Sequence, residues 1–595
     1  MSILSVLVER FGAALAGLVD DPREYLEMVR RAQDPRFGDY QANFAMPLGK
    51  RLKRPPKEIA EHVRRNLDVS DLCETPEIAG PGFVNVRLRD DWLAGQLAAA
   101  VADPRLGIAG VTRPRTFVID YSAPNVAKPM HVGHIRSTVI GDSLCRTLRF
   151  LGHRVISDNH LGDWGTQFGM ILYGYRHFLD REAYRQDPVR ELARLYRLVR
   201  QLMEQQEGSA SGGPEAAKLA AQHPDIGAAV LAETARLHAG DEENLRLWQE
   251  FLPHCRDEIE RIYQRLDVRF DHTLGESFYQ DRLAGIVEEL TERGIATESD
   301  GAICVFLEGH EVPMLIRKQD GAFLYATTDL ATIRYRMETW NPDAILYVVD
   351  HRQSLHFKQL FAAARLMGYD AVELRHISFG TVLDAQGRPF KTREGDTVGL
   401  EGLLDEAVRR AAEIVSANDD AKPGGPELSP AERDRIAQTI GIAAIKYADL
   451  AQSRTSDYVF SYDKMLAMNG NTATYMQYAY ARVRSIFAKG GVDVEALRAA
   501  GAPIRLDTPA ERALALELLC FAEAIDLAVS DYRPNCLTSY LFDLANRFST
   551  FYDSCPVLTA ASESLRASRL LLCDLTARTL RQGLELLGIK VVERM

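Results

Sequence analysis

The sequence predicts a multidomain α/β protein in which one doubly wound, parallel-sheet unit stands between an α+β segment and an all-helical one. Three observations carry this. The chain is 595 residues long, too long for a single hydrophobic core, so three or four domains are expected. Thr116–Tyr121 reads as a strand, a Pro-containing loop follows, a helix runs from about His131 to Phe150, and Val155–Asp158 reads as the next strand. That series is the opening of a doubly wound sheet, whose ligands sit at the carboxyl ends of its strands. Beyond Asp419–Pro430, rich in Pro, Gly and charge and therefore a linker candidate, apolar residues recur with helical period to the chain end.

The elements justify themselves in order. The opening MSILSVLVERFGAALAGL carries Glu9 and Arg10 inside its apolar period and reads as an amphipathic helix, not a signal peptide. Gly80-Pro81-Gly82 breaks the chain before Phe83–Leu88, which alternates as a half-buried strand does. Pro104 and Pro114 bracket a loop. Thr116–Tyr121 is the short, continuous apolar run of a strand buried on both faces. Residues about 180–265 are charged and helical, broken by Gly208–Pro214, and read as an insertion with a disordered loop. Strand patterns return at Ile303–Leu307, Ala344–Val349 and His376–Phe379. The expected domains are 1–112, 113–425 and 426–595, with no internal repeat.

Composition narrows the function classes. With 71 basic against 83 acidic residues the net charge is −12, so a polyanion partner must be met by local basic patches. The eight cysteines include no Cys-x-x-Cys pair, which speaks against zinc or a disulfide framework and for a reducing cytosol. No apolar run approaches a membrane span, and a cytoplasmic protein is expected.

The chemistry concentrates in Tyr121–His134. A loop after a core strand enters a helix N-terminus, where free N–H groups favour anions. His131 and His134 share one face of that helix, and Gly133 between them leaves room for a flat base. Imidazoles there can stabilise charge growing on an α-phosphate, although two histidines capping a buried helix is the plainer reading of the tetrapeptide alone. A second basic segment, Pro389-Phe390-Lys391-Thr392-Arg393-Glu394-Gly395, follows Phe379–Leu383 and a turn at Asp384–Gly387 and suits a loop that closes over ATP.

Taken together, these two segments resemble the HIGH and KMSKS signatures of the class I aminoacyl-tRNA synthetases, in the same order. Ser122–Lys128, Gly162–Gly169 and the stretch Asp449–Ile486, with Asp457-Tyr458-Val459-Phe460 and Gln477–Arg482, resemble the arginyl-tRNA synthetases specifically, over nearly the whole chain. The resemblance implies an N-terminal domain on the tRNA elbow, a Rossmann-type catalytic domain with insertions and a helical anticodon-binding domain. It implies a ligase that joins L-arginine to tRNA(Arg) through arginyl-adenylate, with ATP and Mg²⁺ as a substrate complex, no prosthetic group and no zinc. A monomer is expected.

Residue roles follow from the same likeness. His131, Gly133, His134 and Lys391 would bind ATP. Thr392 stands where KMSKS has its catalytic lysine, and the family's compensating lysine falls on Lys128; Lys391 and Arg393 then serve the closing loop. Tyr325, Asp329, Asn125 and Gln353 match arginine-binding positions, Asp120 at the end of the first strand is a further carboxylate candidate for arginine, and Glu276 is a candidate for the substrate α-amino group. A guanidinium, always charged and forked, demands such carboxylates.

For tRNA, Lys50–Lys57 holds five positive charges in eight residues, equally readable as a phosphate patch or a solvated helix end. Tyr475, Tyr478, Tyr480, Arg482 and Arg484 share one helical stretch, read as anticodon-stacking aromatics or as core. Val591–Met595 resembles the family's chain end. Two rivals are a small-molecule nucleotidyltransferase, usually much shorter, and a non-catalytic RNA-binding paralogue, against which both histidines and Lys128 speak.

Overall fold

The structure is a computed structural model describing residues 2–206, 214–390 and 399–595. It divides into two compact units, Thr112–Glu413 with Ala444–Asp463, and Met1–Val111 with Ile414–Ala443 and Lys464–Met595.

The first unit is built on a four-stranded parallel sheet. Its strands are β1 (Thr116–Asp120), β2 (Arg154–Asp158), β3 (Ala344–Tyr347) and β4 (Glu373–His376), and its spatial order is β4-β3-β1-β2. Order reverses between β1 and β3, so the carboxyl ends of these two strands form the crevice of a doubly wound sheet. Helix α1 (Val132–Phe150) connects β1 to β2. It lies so close to the sheet that a Cβ on Gly141 would stand 2.1 Å from the ring of Tyr121.

Between β2 and β3 lie two insertions. Helices Thr166–Phe178, α2 (Pro188–Gln206), Pro214–Gln222, Ile226–His238 and Glu242–Leu266 make the expected helical insertion. Its own small core includes Tyr173, Val199, Leu202 and Val230. Gly169 allows the close approach there: a Cβ would meet the Thr234 hydroxyl at 2.1 Å. The expected strand at Ile303–Leu307 is Ala302–Val305. It belongs to a separate antiparallel sheet with Ala296–Ser299 and Met314–Arg317, because short hairpin links join these strands. The strand expected at His376–Phe379 lies earlier, at Glu373–His376. Residues 208–213 of the Gly-rich stretch, and Lys391 and Arg393, fall outside the described residues.

In the second unit an antiparallel sheet runs in the order Val29–Arg31, Tyr40–Ala42, Phe83–Val86, Glu77–Ala79. Leu7 and Phe11 of the N-terminal helix pack on it. Long helices, among them Ala473–Gly490, Pro509–Leu519, Asn535–Ser554 and Glu563–Leu586, complete the unit. The two ends of the chain, expected as separate domains, share it. Arg512 grips both oxygens of Asp39 at 2.9 and 2.8 Å, Arg31 pairs with Glu517 at 3.0 Å, and the Tyr40 hydroxyl donates to Glu523. The expected linker Asp419–Pro430 is a built turn. Asp419, 1% exposed, accepts from the backbone of Glu427 and Leu428 and from Arg433, and Pro430 opens the next helix. The units divide instead inside the helices Leu400–Asp420 and Pro430–Leu450, where composition carries no boundary signal. Among the described residues no helix is long and apolar enough to cross a membrane.

Candidate active site

The loop leaving β1 is held in an unfavourable backbone conformation. Ser122 and Ala123 have φ of 72° and 44°, a left-handed region that side chains disfavour. Side chains from neighbouring elements hold them there: Ser137 accepts from the Ser122 N–H at 2.8 Å and Asn159 from the Ala123 N–H at 3.1 Å. Asn125 accepts from the Ala127 N–H at 3.1 Å and bridges to Gly162, so the Gly162–Gly169 motif lies directly against the loop. Asp163 in that motif accepts from the Ser277 N–H and hydroxyl, both at 2.9 Å, which fixes the start of the next acidic turn.

At the helix entrance the two histidines cap α1. His131 Nδ1 accepts from the Gly133 N–H at 3.1 Å, and His134 Nδ1 accepts from the His131 N–H at 3.0 Å. A ring nitrogen that accepts is unprotonated, so each neutral imidazole carries its proton on Nε2. Burial, assisted by Lys128, lowers His131, and burial takes His134 down to about 3, so both are neutral N–H donors at pH 7. Their ring centroids lie 3.9 Å apart. Gly133 serves this packing, since a Cβ would stand 2.9 Å from the His131 ring.

Lys128 is half-buried on the same loop, with its ammonium 5.5 Å from the ring centroid of Tyr196 on α2. The segment around Lys391 and Arg393 is anchored at both described ends. The Phe390 N–H donates to Val382 at 3.1 Å, and the Leu400 N–H donates to Met130 at 2.8 Å, with Gly399 bridged to His131. Val382–Leu383 pairs in parallel with Tyr458–Val459, and Asp457 accepts from the Thr381 N–H at 2.6 Å. Asp449 meets Arg136 of α1 at 3.1 Å, both almost fully buried. The Asp449–Phe460 motif thus ties the histidine helix to the strand before residue 391.

The acidic residues gather at the crevice. Helix α3 (Tyr325–Trp340) carries Tyr325 and Asp329 one turn apart; Glu276 opens the short helix Glu276–Tyr279; Gln353 is exposed in the turn after β3. Burial first, then the charges of Asp163 and Asp329, push Glu276 up to about 8. Glu276 in turn raises the Tyr325 phenol, adding to burial, although Tyr325 remains 65% exposed. Asp329 accepts from His356 Nε2 at 2.6 Å, from α4 (Ser354–Leu366). Burial opposes charge on His356, but its hydrogen bond to Asp329 and the carboxylate charge hold it above the ordinary histidine value.

Asp120 stands differently from the expectation of an open arginine ligand. It is 5% exposed, and its Oδ2 accepts from Arg336 at 2.6 Å; Arg336, fully buried, also reaches Asp158 at 2.8 Å. An internal guanidinium already occupies this carboxylate. Arg336, His356 and Tyr196 carried no signal in the sequence, because each meets its partner only through the tertiary fold.

Among the tRNA candidates, Lys50, Arg51, Lys53, Arg54 and Lys57 are exposed. Tyr478 is exposed beside Arg482, whose guanidinium also lies 4.5 Å over Tyr552. Tyr480 is core: it donates to Glu593 at 2.8 Å, and Arg484 pairs with the same carboxylate at 2.7 Å, so the chain end docks on this helix.

Known proteins match this arrangement along the whole chain. Residues 96–462 match the model of the class I tRNA synthetase (R) catalytic domain, residues 5–88 the arginyl tRNA synthetase N-terminal domain, and residues 476–595 the DALR anticodon binding domain. The arginine–tRNA ligases of Rhodopirellula baltica and Cellvibrio japonicus are 49% and 44% identical, each with 100% of both chains covered. The arginyl-tRNA synthetase structure from Plasmodium falciparum superposes with a TM-score of 0.81 at 28% identity, covering 100% of this chain and 99% of that one. The Thermus thermophilus enzyme gives 0.79 at 26%, with both chains fully covered. The chain therefore belongs to the class I arginyl-tRNA synthetase family.

Proposed function

We infer that this arginine–tRNA ligase activates its amino acid in the crevice between β1 and β3, the guanidinium entering the acidic side and ATP lying against the histidine helix. The enzyme joins L-arginine to tRNA(Arg) through arginyl-adenylate, releasing pyrophosphate and then AMP. One observation carries the placement: Glu276 and Asp329, both half-buried, are close enough that the Asp329 charge helps to raise Glu276, and the side chain bonded to Asp329 is a histidine, not an arginine or lysine. A fully charged, forked ligand supplies what the pocket lacks. Tyr325 lines the same pocket, and Gln353 and Asn125 stand on the flanking loops.

Mg-ATP enters as the substrate complex. As the arginine carboxylate attacks the α-phosphate, charge grows on its oxygens. The Nε2–H groups of His131 and His134, already oriented by their Nδ1 bonds, stabilise that charge without reorganising. Lys128 supplies the positive charge that Thr392 cannot, and Lys391 and Arg393 serve as the closing-loop contacts that the family likeness implies. A ribose hydroxyl of the terminal adenosine then attacks the activated carbonyl. Activation is expected to require bound tRNA, tested by pyrophosphate exchange with and without it. The enzyme is expected to act as a cytoplasmic monomer. Aminoacylation of total tRNA with each of the twenty amino acids tests the specificity: only arginine should be attached, and efficient attachment of another amino acid would overturn the pocket assignment.

A further inference from the structure

Lys128 presents a physical problem. A lysine that acts on phosphate must be held still, yet a carboxylate close enough to hold it would cancel the charge it is there to supply. Among the described residues no carboxylate lies within ion-pair distance of Lys128. Its ammonium instead lies over the ring of Tyr196, 5.5 Å from the centroid. An aromatic face attracts a cation through its quadrupole and leaves the net charge and the N–H donors available.

Tyr196 is built to keep that ring in place. It is 4% exposed on α2, between Leu192, Leu195 and Val199, all essentially fully buried. The helix is pressed against Thr166–Phe178, where a Cβ on Gly174 would meet Leu195 at 3.0 Å and Val199 at 3.2 Å. One turn onward on the same helix, Arg200 pairs with Glu204 at 2.7 Å. On the lysine side, the Lys128 N–H closes a turn onto Asn125 at 3.2 Å, and the charge at the end of its stem is felt by both His131 and His134.

We propose that Tyr196 is a positioning residue for arginine activation: its ring face holds the Lys128 ammonium beside His131 and His134, so the helical insertion contributes to the phosphate site. The proposal rests on the reading of Lys128 as the lysine that acts on ATP.

Single-turnover adenylate formation by the full-length enzyme, with tRNA present, tests it. Tyr196→Phe keeps the ring face and should stay within about twofold of wild type, whereas Tyr196→Leu should slow the step about tenfold with the arginine KM unchanged. Fluorinated phenylalanines at position 196 preserve the shape while draining the quadrupole, which guards against a leucine variant that folds poorly. The rate should fall stepwise with fluorine number. In the Lys128→Ala background Tyr196→Leu should cost nothing more, because the interaction it removes is already gone. An undiminished leucine effect in that background, or rates indifferent to fluorination, would overturn the proposal and leave Tyr196 as packing alone. If Lys128→Ala by itself activates arginine at the wild-type rate, the reading of Lys128 falls first and the proposal with it.

Discussion

Two carboxylate groups of this catalytic unit differ in what neutralises them: one is filled by an arginine of the protein, and the other is the one we propose for the substrate. In the floor, Arg336 is fully buried and bonds Asp120 and Asp158 at 2.6 and 2.8 Å, with the Tyr347 ring 5.4 Å from its guanidinium. In the pocket, Glu276 and Asp329 have the same chemistry and no arginine, and Glu276 responds by holding its proton up to about 8. Buried carboxylates need a cation or a proton. Where the chain provides the cation the result is an internal ion cluster; where it withholds one, the carboxylates are open to the ligand we propose.

The comparison breaks most visibly at the floor. Replacing Arg336 with methionine leaves two carboxylates buried beneath the sheet without their cation, and should cost about 3–5 kcal/mol of stability. Urea unfolding measures it. A loss below about 1 kcal/mol would mean that the floor is not an ion cluster.

In the pocket the same deletion should act on substrate and spare the fold. Asp329→Ala should raise the arginine KM by the equivalent of on the order of 3 kcal/mol, more than a hundredfold, with the ATP KM and the unfolding midpoint nearly unchanged. Asp120→Asn, by contrast, should act mainly on stability. If Asp120→Asn raises the arginine KM as steeply as Asp329→Ala while the fold is intact, the two sites have been assigned the wrong way round.

What the sequence revealed of these sites follows from how local each feature is. The His131–His134 cap, the β1–α1–β2 series and the Tyr325/Asp329 pair all depend on residues within a turn or two, and each was legible. Arg336 lies beside Arg334 in an ordinary helical pattern, and nothing nearby says that one arginine faces Glu289 at the surface while the other crosses to Asp120. Asp120 reads in the sequence as an open carboxylate for the same reason, since Arg336 stands 216 residues away. The antiparallel strand Ala302–Val305 and the joint packing of the two chain ends are likewise products of contacts that no window reports.

Glu276 sharpens the comparison through protons. Its folded value is raised by burial and by Asp163 and Asp329, so between its unfolded value near 4.5 and about 8 the folded enzyme holds the extra proton. That proton stabilises the fold at low pH, and the contribution is lost as pH rises through about 8. The substrate's cationic α-amino group prefers the ionised form, so arginine binding at pH 7 should release nearly one proton, and affinity should rise about tenfold from pH 7 to 9. Calorimetry in buffers of different ionisation enthalpy reads the release directly. Glu276→Gln should abolish it and become more stable than wild type above pH 8. Unaltered proton release by that variant would assign it to another group.

The smallest effect belongs to His356, which distinguishes a substrate carboxylate from a structural one. Asp120 and Asp158 are held by a fixed charge, whereas Asp329 is held by a histidine that can give its charge up. His356 Nε2 grips Asp329 Oδ2 at 2.6 Å and leaves the other oxygen for a ligand. Its charged surroundings are Asp329 on α3, Glu276 beyond it, and His376 on β4. Protonated, His356 competes with arginine for the carboxylate; neutral, it still orients the carboxylate by donating. His356→Ala should therefore raise the arginine KM about fivefold, the worth of one hydrogen bond near 1 kcal/mol, with kcat and the ATP KM unmoved. His356→Gln places an amide donor at the same reach and should recover most of that loss. It should also remove the acid-side weakening of arginine binding due to His356, while leaving the arm near pH 8 that belongs to Glu276. If glutamine fails to rescue, or if the acid arm survives the substitution, His356 is packing against α3 and Asp329 orients itself without it.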